Sequence, residues 1–549
     1  MSFFVQTPIM KRFMPLWLFL IVSFLSFGQE PATRPKAQGW HLMDFQTDGY
    51  RGISLSKAYD LLKGRPSKPV IVAVIDSGID TLHEDLRAIL WRNEKEINGN
   101  GIDDDGNGYI DDIYGWNFCG SKDGENLSRN SWEITRVYHN WKNEFEGKKD
   151  KDIPLNKKFL FKQWQKSARL INQDYEEASK ELPQIKSFLD ILEQSSKVIN
   201  DQLSIDAFNA NHIQPLVQNN DKRISTSAAI WLDIFSRAND TSIKSDIVLK
   251  EITDYKNQLQ NKVDRKIKIP EDTRGVLTQD NYTDINDRFY GNNNLKAHSG
   301  NHGTLVAGTI GAIRNNGIGA DGIADNVRIM AIRAVPGGDE HDKDVALAIR
   351  YAVDNGAKII NMSFGKPVSP YKHFVDEAVR YAASKGVLLI HGSGNDGKDI
   401  TTDHFYPHPE FLDGKRATNY LTVGASGDES LGFIAAPFSN YSKKWVDIFA
   451  PGMYIYSTTA NNGYDVADGT SLAAPVVTGV AALLKSYFPD LTPEQMIQII
   501  MTSGHPVQDE VSLRNERNKV RFSSLSVSGR IINANEAVRA ALSLEQRKK

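Results

Sequence analysis

The sequence predicts an α/β fold with a mostly parallel sheet and a large helical subdomain inserted into it. Three observations carry this reading. Short apolar runs rich in β-branched residues recur at Val70 to Ile75, Val327 to Ile332, Lys358 to Met362, Val387 to Ile390 and Leu421 to Val423. Uninterrupted runs of that kind suit strands buried on both faces. Helical patterns stand between them. Asp344 to Asn355 puts Val345, Ile349 and Val353 on one face and stops at Gly356, and Phe374 to Lys385 stops at Gly386. Strand, helix, strand, helix implies βαβ units with helices on both faces of the sheet. Finally, the rhythm breaks from about Lys122 to Leu295, where Lys, Glu, Asp, Asn and Gln dominate.

The chain begins with Lys11-Arg12, an apolar run from Phe13 to Phe27 and the small residue Gly28. That is the pattern of a secretory signal peptide over residues 1–28. The run is short for a membrane span and contains Pro15, so no stable membrane insertion is expected after cleavage. Export to the periplasm or the exterior is the expected destination. Residues 29–66 are polar, with one aromatic patch at Trp40-His41-Leu42. Within the inserted stretch, Ile185, Phe188, Leu189, Leu192 and Ile199 share one helical face, and Pro183 is expected to separate this helix from the one before. A second helix is expected over 247–263. A surface insertion of this size is tolerated because loop-closure entropy grows slowly with length. It is either a structural helical hairpin or small bundle, or an element with a role in substrate selection, partner docking or self-inhibition. The expected domains are 29–120 and 296–545 for the core and 121–295 for the insertion.

Composition narrows the function. Of 549 residues, 40% are hydrophobic and 24% charged, which suffices for a packed core. A net charge of −3 gives no reason to expect nucleic acid as a partner. Cys119 is the single cysteine, so no intrachain disulfide can form.

The chemistry lies in three motifs. Gly469-Thr470-Ser471-Leu472-Ala473-Ala474-Pro475, followed by an apolar run, reads as a serine nucleophile opening a buried helix, with the proline in its first turn. A serine hydroxyl needs a base and a group to orient that base. Asp76-Ser77-Gly78 closes the first strong strand, and His302-Gly303-Thr304 precedes an apolar helical run. The order Asp, His, Ser is one in which a catalytic triad occurs. Together the three stretches resemble the subtilisin-like serine proteases (subtilases, peptidase S8 family), over roughly residues 70–116 and 285–541. The resemblance implies a three-layer sandwich and a serine-type endopeptidase acting through an acyl-enzyme. It makes Ser471 the nucleophile, His302 the general base and Asp76 the orienting group.

The resemblance also assigns Asn395, in Gly392-Ser393-Gly394-Asn395, as the side-chain donor to the oxyanion, with the Ser471 N–H as its companion. Ser363, Phe364 and Gly365 match the strand that pairs with extended substrate. Phe438 to Ser442 and Val446 to Gly452 match framework near the site. The expected partners are protein or peptide substrates, and no cofactor is needed for the chemistry.

Asp103-x-Asp105-x-Asn107-Gly108 is the opening of a calcium loop. Its twelfth position is Tyr114 where a Glu belongs, so Asp111 or Asp112 would have to complete a shortened loop. A structural calcium held by Asp103, Asp105, Asn107 and Asp111 is expected, against the plain alternative of a solvated acidic turn. Three features depart from the family pattern. Leu305 replaces the second histidine of His-Gly-Thr-His, and His391 replaces a small residue before the oxyanion segment. Only about 40 residues separate Gly28 from Val70, fewer than a folding-assisting propeptide domain needs. A non-enzymatic protein on the same scaffold and a narrow processing peptidase remain as rivals. A lipase or esterase lacks its Gly-x-Ser-x-Gly elbow around Ser471.

Overall fold

The computed structural model describes residues 38–238, 242–296, 301–514 and 519–548. The signal-peptide expectation lies outside them. The described chain forms two compact units, one of residues 38–164 and 271–548, the other of residues 165–270.

The larger unit is built on β1 (Val70–Asp76), β2 (Gly115–Asn117), β3 (Val327–Arg333), β4 (Ile359–Met362), β5 (Leu388–Gly392), β6 (Tyr420–Ser426) and β7 (Ile448–Pro451). With the short strands His505–Pro506 and Arg530–Ile531 they form a nine-stranded sheet among the described residues. Its order runs from His505–Pro506 through Arg530–Ile531, β7, β6, β5, β4, β1 and β3 to β2. Every pairing is parallel except the one between the two short strands at one edge. β1 pairs with both β3 and β4, Val72 standing opposite Ile329 and Ile359. Connections diverge to either side of β1, and such a switch point opens a crevice at the C-terminal ends of the strands. Asp76 ends β1 there, Ser363 follows β4, and Gly392 ends β5.

Successive β1 side chains enter different cores. Val72 and Val74 pack with one apolar layer, Ala73 and Ile75 with the other, as the two-residue period of a strand requires. The first layer receives the helix Asn301–Gly311, the helix Thr470–Tyr487 and the C-terminal helix Ala534–Lys548; the second receives the helices Asp342–Asp354 and Lys372–Ser384. This is an α/β three-layer sandwich. The polar segment after residue 37 joins it as well. Trp40 is fully buried and its indole donates to Met453 O at 3.0 Å, while the helix Leu55–Leu62 sends Leu55, Ala58 and Leu62 into the first layer.

The compact inserted unit is narrower than the 121–295 expected. Residues 121–164 and 271–295 belong with the sheet. Their charged side chains, which suggest surface helices, have buried partners instead: Glu133 pairs with Lys366, and Arg274 with Asp344. Residues 165–270 contain most of a single helix, Lys158–Leu203, with the helices Lys222–Ala238 and Ser245–Ile267. Pro183 lies inside the first of these and does not end it. Ala178, Leu182 and Ile185 pack on both sides of the proline against Leu259, and the Gln184 side chain donates to Lys180 O at 3.0 Å. Packing on both sides of the proline offsets the backbone bond that Ser179 O loses.

A second proline shapes the site. Pro475 stands five residues into the helix that begins at Thr470, beyond the first turn that the sequence suggests. Lacking an N–H, it cannot satisfy the carbonyl of Ser471 four residues before it. Ser363 Oγ donates to that carbonyl at 2.7 Å. Ser363 Oγ in turn accepts from Asn361 Nδ2 at 2.9 Å, and Asn361 Oδ1 accepts from Thr478 Oγ1 at 2.8 Å. The helix is thereby tied to β4 in its first and third turns. Ser363→Ala should leave the Ser471 carbonyl without a partner and lower unfolding stability by about 1–3 kcal/mol, read from the denaturant midpoint at unchanged m-value.

Candidate active site

Asp76 and His302 meet at the C-terminal end of β1. His302 is the second residue of the helix Asn301–Gly311, and its Nδ1 donates to Asp76 Oδ1 at 2.8 Å. The same oxygen accepts from the Ser77 N–H at 2.7 Å. Asp76 is buried while the imidazole is half-exposed, so the ring is anchored on one edge and open on the other. The Asp76 carboxylate raises the His302 pKa above its ordinary 6.5, against the opposing effect of burial. The helix seats this close because residue 303 has no side chain. A Cβ at Gly303 would lie 2.1 Å from Gly78 O and 3.2 Å from Asp76 Cβ. On its far side, Thr458 Oγ1 donates to Thr304 O at 2.7 Å, and Ser457 Oγ to Leu305 O at 2.8 Å.

Ser471 and Asn395 form the second half of the site. Both face the space left by Gly469, where a Cβ would stand 2.7 Å from Ser471 Oγ and 3.5 Å from Asn395 Nδ2. Thr470 donates its N–H and its hydroxyl to Asn395 Oδ1, each at 2.9 Å. With its oxygen engaged twice, the amide turns its N–H₂ outward. Among the described residues no acceptor is bonded to that nitrogen, and the Ser471 N–H, in the first turn of its helix, has no backbone partner. Two donors are thus held beside the serine hydroxyl without a protein acceptor.

Asn440, within a segment the sequence suggests only as framework, positions this loop. Its buried side chain accepts from the N–H groups of Asp396 and Lys398, each at 3.1 Å, and donates to Ser393 O at 3.0 Å. No spacing in the sequence distinguishes it from any other loop asparagine.

The predicted substrate strand is partly committed elsewhere. The Ser363 side chain holds the Ser471 carbonyl, and Phe364 O accepts from His391 Nε2 at 2.7 Å. Burial holds the His391 ring neutral, its pKa lowered to about 4. Lys366 exchanges both backbone bonds with Tyr406, at 2.9 and 2.8 Å. The backbone groups of Ser363 and Gly365 make no backbone bond among the described residues, which leaves an open strand edge beside Ser471.

The acidic loop differs from the expected ligand set. Carboxylate oxygens of Glu96, Asp103 and Asp105 lie within 4.8 Å of one another. Asp111 is not in that group; its two oxygens accept from the N–H groups of Gly99 and Gly101 at 2.7 and 2.9 Å. Asn107 accepts from Tyr109 N and donates to Asp112 Oδ2. Glu96 joins Asp103 and Asp105 from outside the motif, where the loop pattern gives no signal for it. A second cluster, His404, His408 and Glu410, is poorly built for a metal. The two imidazoles are stacked at 4.0 Å with planes 7° apart, so their in-plane lone pairs do not converge.

The chain is similar to several known proteins. Over 187 residues the chain is 41% identical to the thermophilic serine proteinase of Bacillus sp. (strain AK1), covering 34% of this chain and 43% of that protein. Subtilisin Savinase of Lederbergia lenta is 34% identical over 43% of this chain and 77% of its own length. The first of these relatives is matched over less than half its length. A solved protease of Pseudoalteromonas arctica, 18% identical, aligns over 93% of this chain and 99% of its own with a TM-score of 0.45. The model of the subtilase family matches residues 67–520. Covering both halves of the sheet, the Asp76, His302 and Ser471 segments and the insertion between them, that match shows that the chain belongs to the subtilase family.

Proposed function

We propose that this chain is an exported serine endopeptidase that hydrolyses peptide bonds through Asp76, His302 and Ser471. The observation that carries the reading is the division of labour at the site. A carboxylate-anchored imidazole stands on one element, and a serine with two uncommitted N–H donors stands on another. In the forward step Ser471 Oγ attacks the scissile carbonyl carbon while His302 Nε2 takes the hydroxyl proton. The C=O pair moves onto oxygen, and the Asn395 amide and the Ser471 N–H stabilise the resulting oxyanion. The protonated imidazole gives its proton to the leaving amine as the C–N bond breaks. Water then repeats the sequence on the acyl-enzyme. Substrate backbone would pair with the open edge at Ser363 and Gly365, an interaction indifferent to sequence and suited to proteins or peptides. Export is supported by the charged, apolar and small-residue order of residues 11–28, and no helix among the described residues is long and apolar enough to cross a membrane.

The direct test treats the full chain and its Ser471→Ala variant with an active-site serine phosphonate and with fluorogenic casein. Labelling and turnover present in the parent and absent in the variant are expected. A folded parent that neither labels nor cleaves would sink the reading.

The base must be neutral to accept a proton, and Asp76 raises its pKa. The acid limb of kcat/KM should therefore fall above pH 6.5. Asp76→Asn should move that limb down and reduce kcat by about 10⁴-fold. The same pairing stabilises the fold most fully below pH 6.5, and that stabilisation is lost as pH rises through the elevated His302 value.

Glu96, Asp103 and Asp105 offer only hard oxygen donors, and among the described residues no Lys or Arg is paired with any of them. This donor chemistry fits a structural calcium ion. Calcium at one hundred times its Kd should add about 2.7 kcal/mol of stability. Melting curves with calcium and with chelator should then separate, and Glu96→Gln should bring them together. Coincident curves for the parent would leave the cluster a solvated acidic turn.

A further inference from the structure

Beside the oxyanion donor lies a notch whose two rims carry no side chains. Gly365 lies on the open strand edge, and Gly394 immediately precedes Asn395. The same aromatic ring occupies the space before both. A Cβ at Gly365 would lie 2.3 Å from Phe405 Cε1 and 2.7 Å from its Cζ, and a Cβ at Gly394 would lie 2.4 Å from Asn440 Nδ2 and 3.1 Å from each of those two ring atoms. The far edge of the Phe405 ring therefore fills the gap that the two glycines leave.

Its position is fixed from two directions. Tyr406, the next residue, is bound to Lys366 by both backbone bonds, so the loop cannot withdraw without breaking this isolated β-bridge. The His391 ring packs alongside with centroids 5.9 Å apart and planes 21° apart, and is itself held by its bond to Phe364 O. A buried neutral imidazole stacked on a phenyl ring is an apolar buttress.

A substrate laid along Ser363 and Gly365, with its carbonyl carbon at Ser471 Oγ and its oxygen at Asn395 Nδ2, must direct the side chain of that residue into this notch. We propose that Phe405 closes the notch and restricts cleavage to bonds whose acyl residue is small and uncharged: glycine, alanine or serine. The proposal rests on the nucleophile assignment above and gives that site its substrate class. A long side chain entering here would run into the ring, which already stands 2.3 Å from where a Cβ on Gly365 would be. Interiors packed to that density resist one methylene, let alone a phenyl group. A charged side chain would also lose its hydration against phenylalanine and glycine.

The test uses the full chain with a series of peptide anilides that differ only in the acyl residue: Gly, Ala, Ser, Leu, Phe, Glu and Lys. Phosphonate labelling of Ser471 is measured in parallel. The expected result is a kcat/KM for Ala at least tenfold above those for Phe, Leu and Lys. In Phe405→Gly the Ala-to-Phe ratio should fall at least tenfold, with Phe405→Leu in between. A parent that labels and cleaves the Phe or Leu substrate as fast as the Ala one overturns the role of Phe405 and leaves the nucleophile standing. A parent that does not label overturns both. If Phe405→Gly does not fold, as its melting curve would show, the parent profile and Phe405→Leu still decide the matter.

Discussion

A helix interior has no spare donor for a carbonyl whose partner four residues on is proline, and the whole site is arranged around one such carbonyl. Pro475 leaves Ser471 O unpaired, and Ser363 Oγ is the group that satisfies it. Ser363 is held by Asn361, and Asn361 by Thr478 from the next part of the same helix. Three short hydrogen bonds between neutral groups thus fix the serine, the strand edge beside it and the helix behind it in one frame. Their net contribution to stability is modest, whereas leaving the buried carbonyl bare would be costly. The consequence for function is that the Ser363 side chain is spoken for. What that residue leaves uncommitted is its backbone, the group through which the proposed strand addition would act.

The residue after Gly365 extends this frame in another direction. Lys366 is buried and donates to Glu133 Oε2 at 2.8 Å and Glu340 O at 2.8 Å, with Asp342 Oδ1 at 2.9 Å. Glu133 also binds Arg136, whose guanidinium reaches Asp339 O and Glu340 O. The helix Glu133–Phe145 is therefore docked against the strand edge by charges that have left water. Buried ion pairs are weak evidence for net stability, because desolvation consumes much of the Coulombic gain. Removing one partner is another matter, costing about 3–5 kcal/mol through the charge left behind. Arg274 repeats the pattern on the later side of the insertion, shared between Asp344 and Asp280. The chain that flanks residues 165–270 is in this way specified by unique pairings rather than by an apolar face.

That mode of docking explains why some of the architecture was legible in the sequence and some was not. β1 declares itself through Val70 to Ile75 because a strand buried on both faces can afford no polar residue. The helix at Asp342–Asp354 declares itself through Val345, Ile349 and Val353 for the analogous reason. Glu133, Arg136 and Arg274 look like surface residues in sequence, and only their partners, distant in the chain, make them interior ones. The Asp76, His302 and Ser471 segments stood out because each holds a glycine with a steric duty, such as Gly303 against Gly78 O. Asn440 and Glu96 did not, since their work is defined by neighbours that no local pattern encodes. Phe405 is hidden for the same reason. A phenylalanine in a loop carries no signal until the two glycines it faces are brought together from separate strands.

Leu305 shows how such a departure is absorbed. Where the family pattern places a second histidine, this chain has an apolar side chain that packs into the layer beneath the sheet with Val306 and Ile310. The seating of the helix does not depend on it. Gly303 permits the approach to Gly78, the hydroxyl of Thr304 accepts from the Asp80 N–H at 2.9 Å, and Ser457 and Thr458 bind the first carbonyls from the other side. Each of these contacts acts on the backbone or on Thr304, and none requires a polar group at position 305. A leucine there adds apolar burial without leaving a donor or acceptor to satisfy. His302 consequently keeps its bond to Asp76 through the geometry of the helix end, and the substitution falls on the one residue of the motif whose chemistry the site does not use.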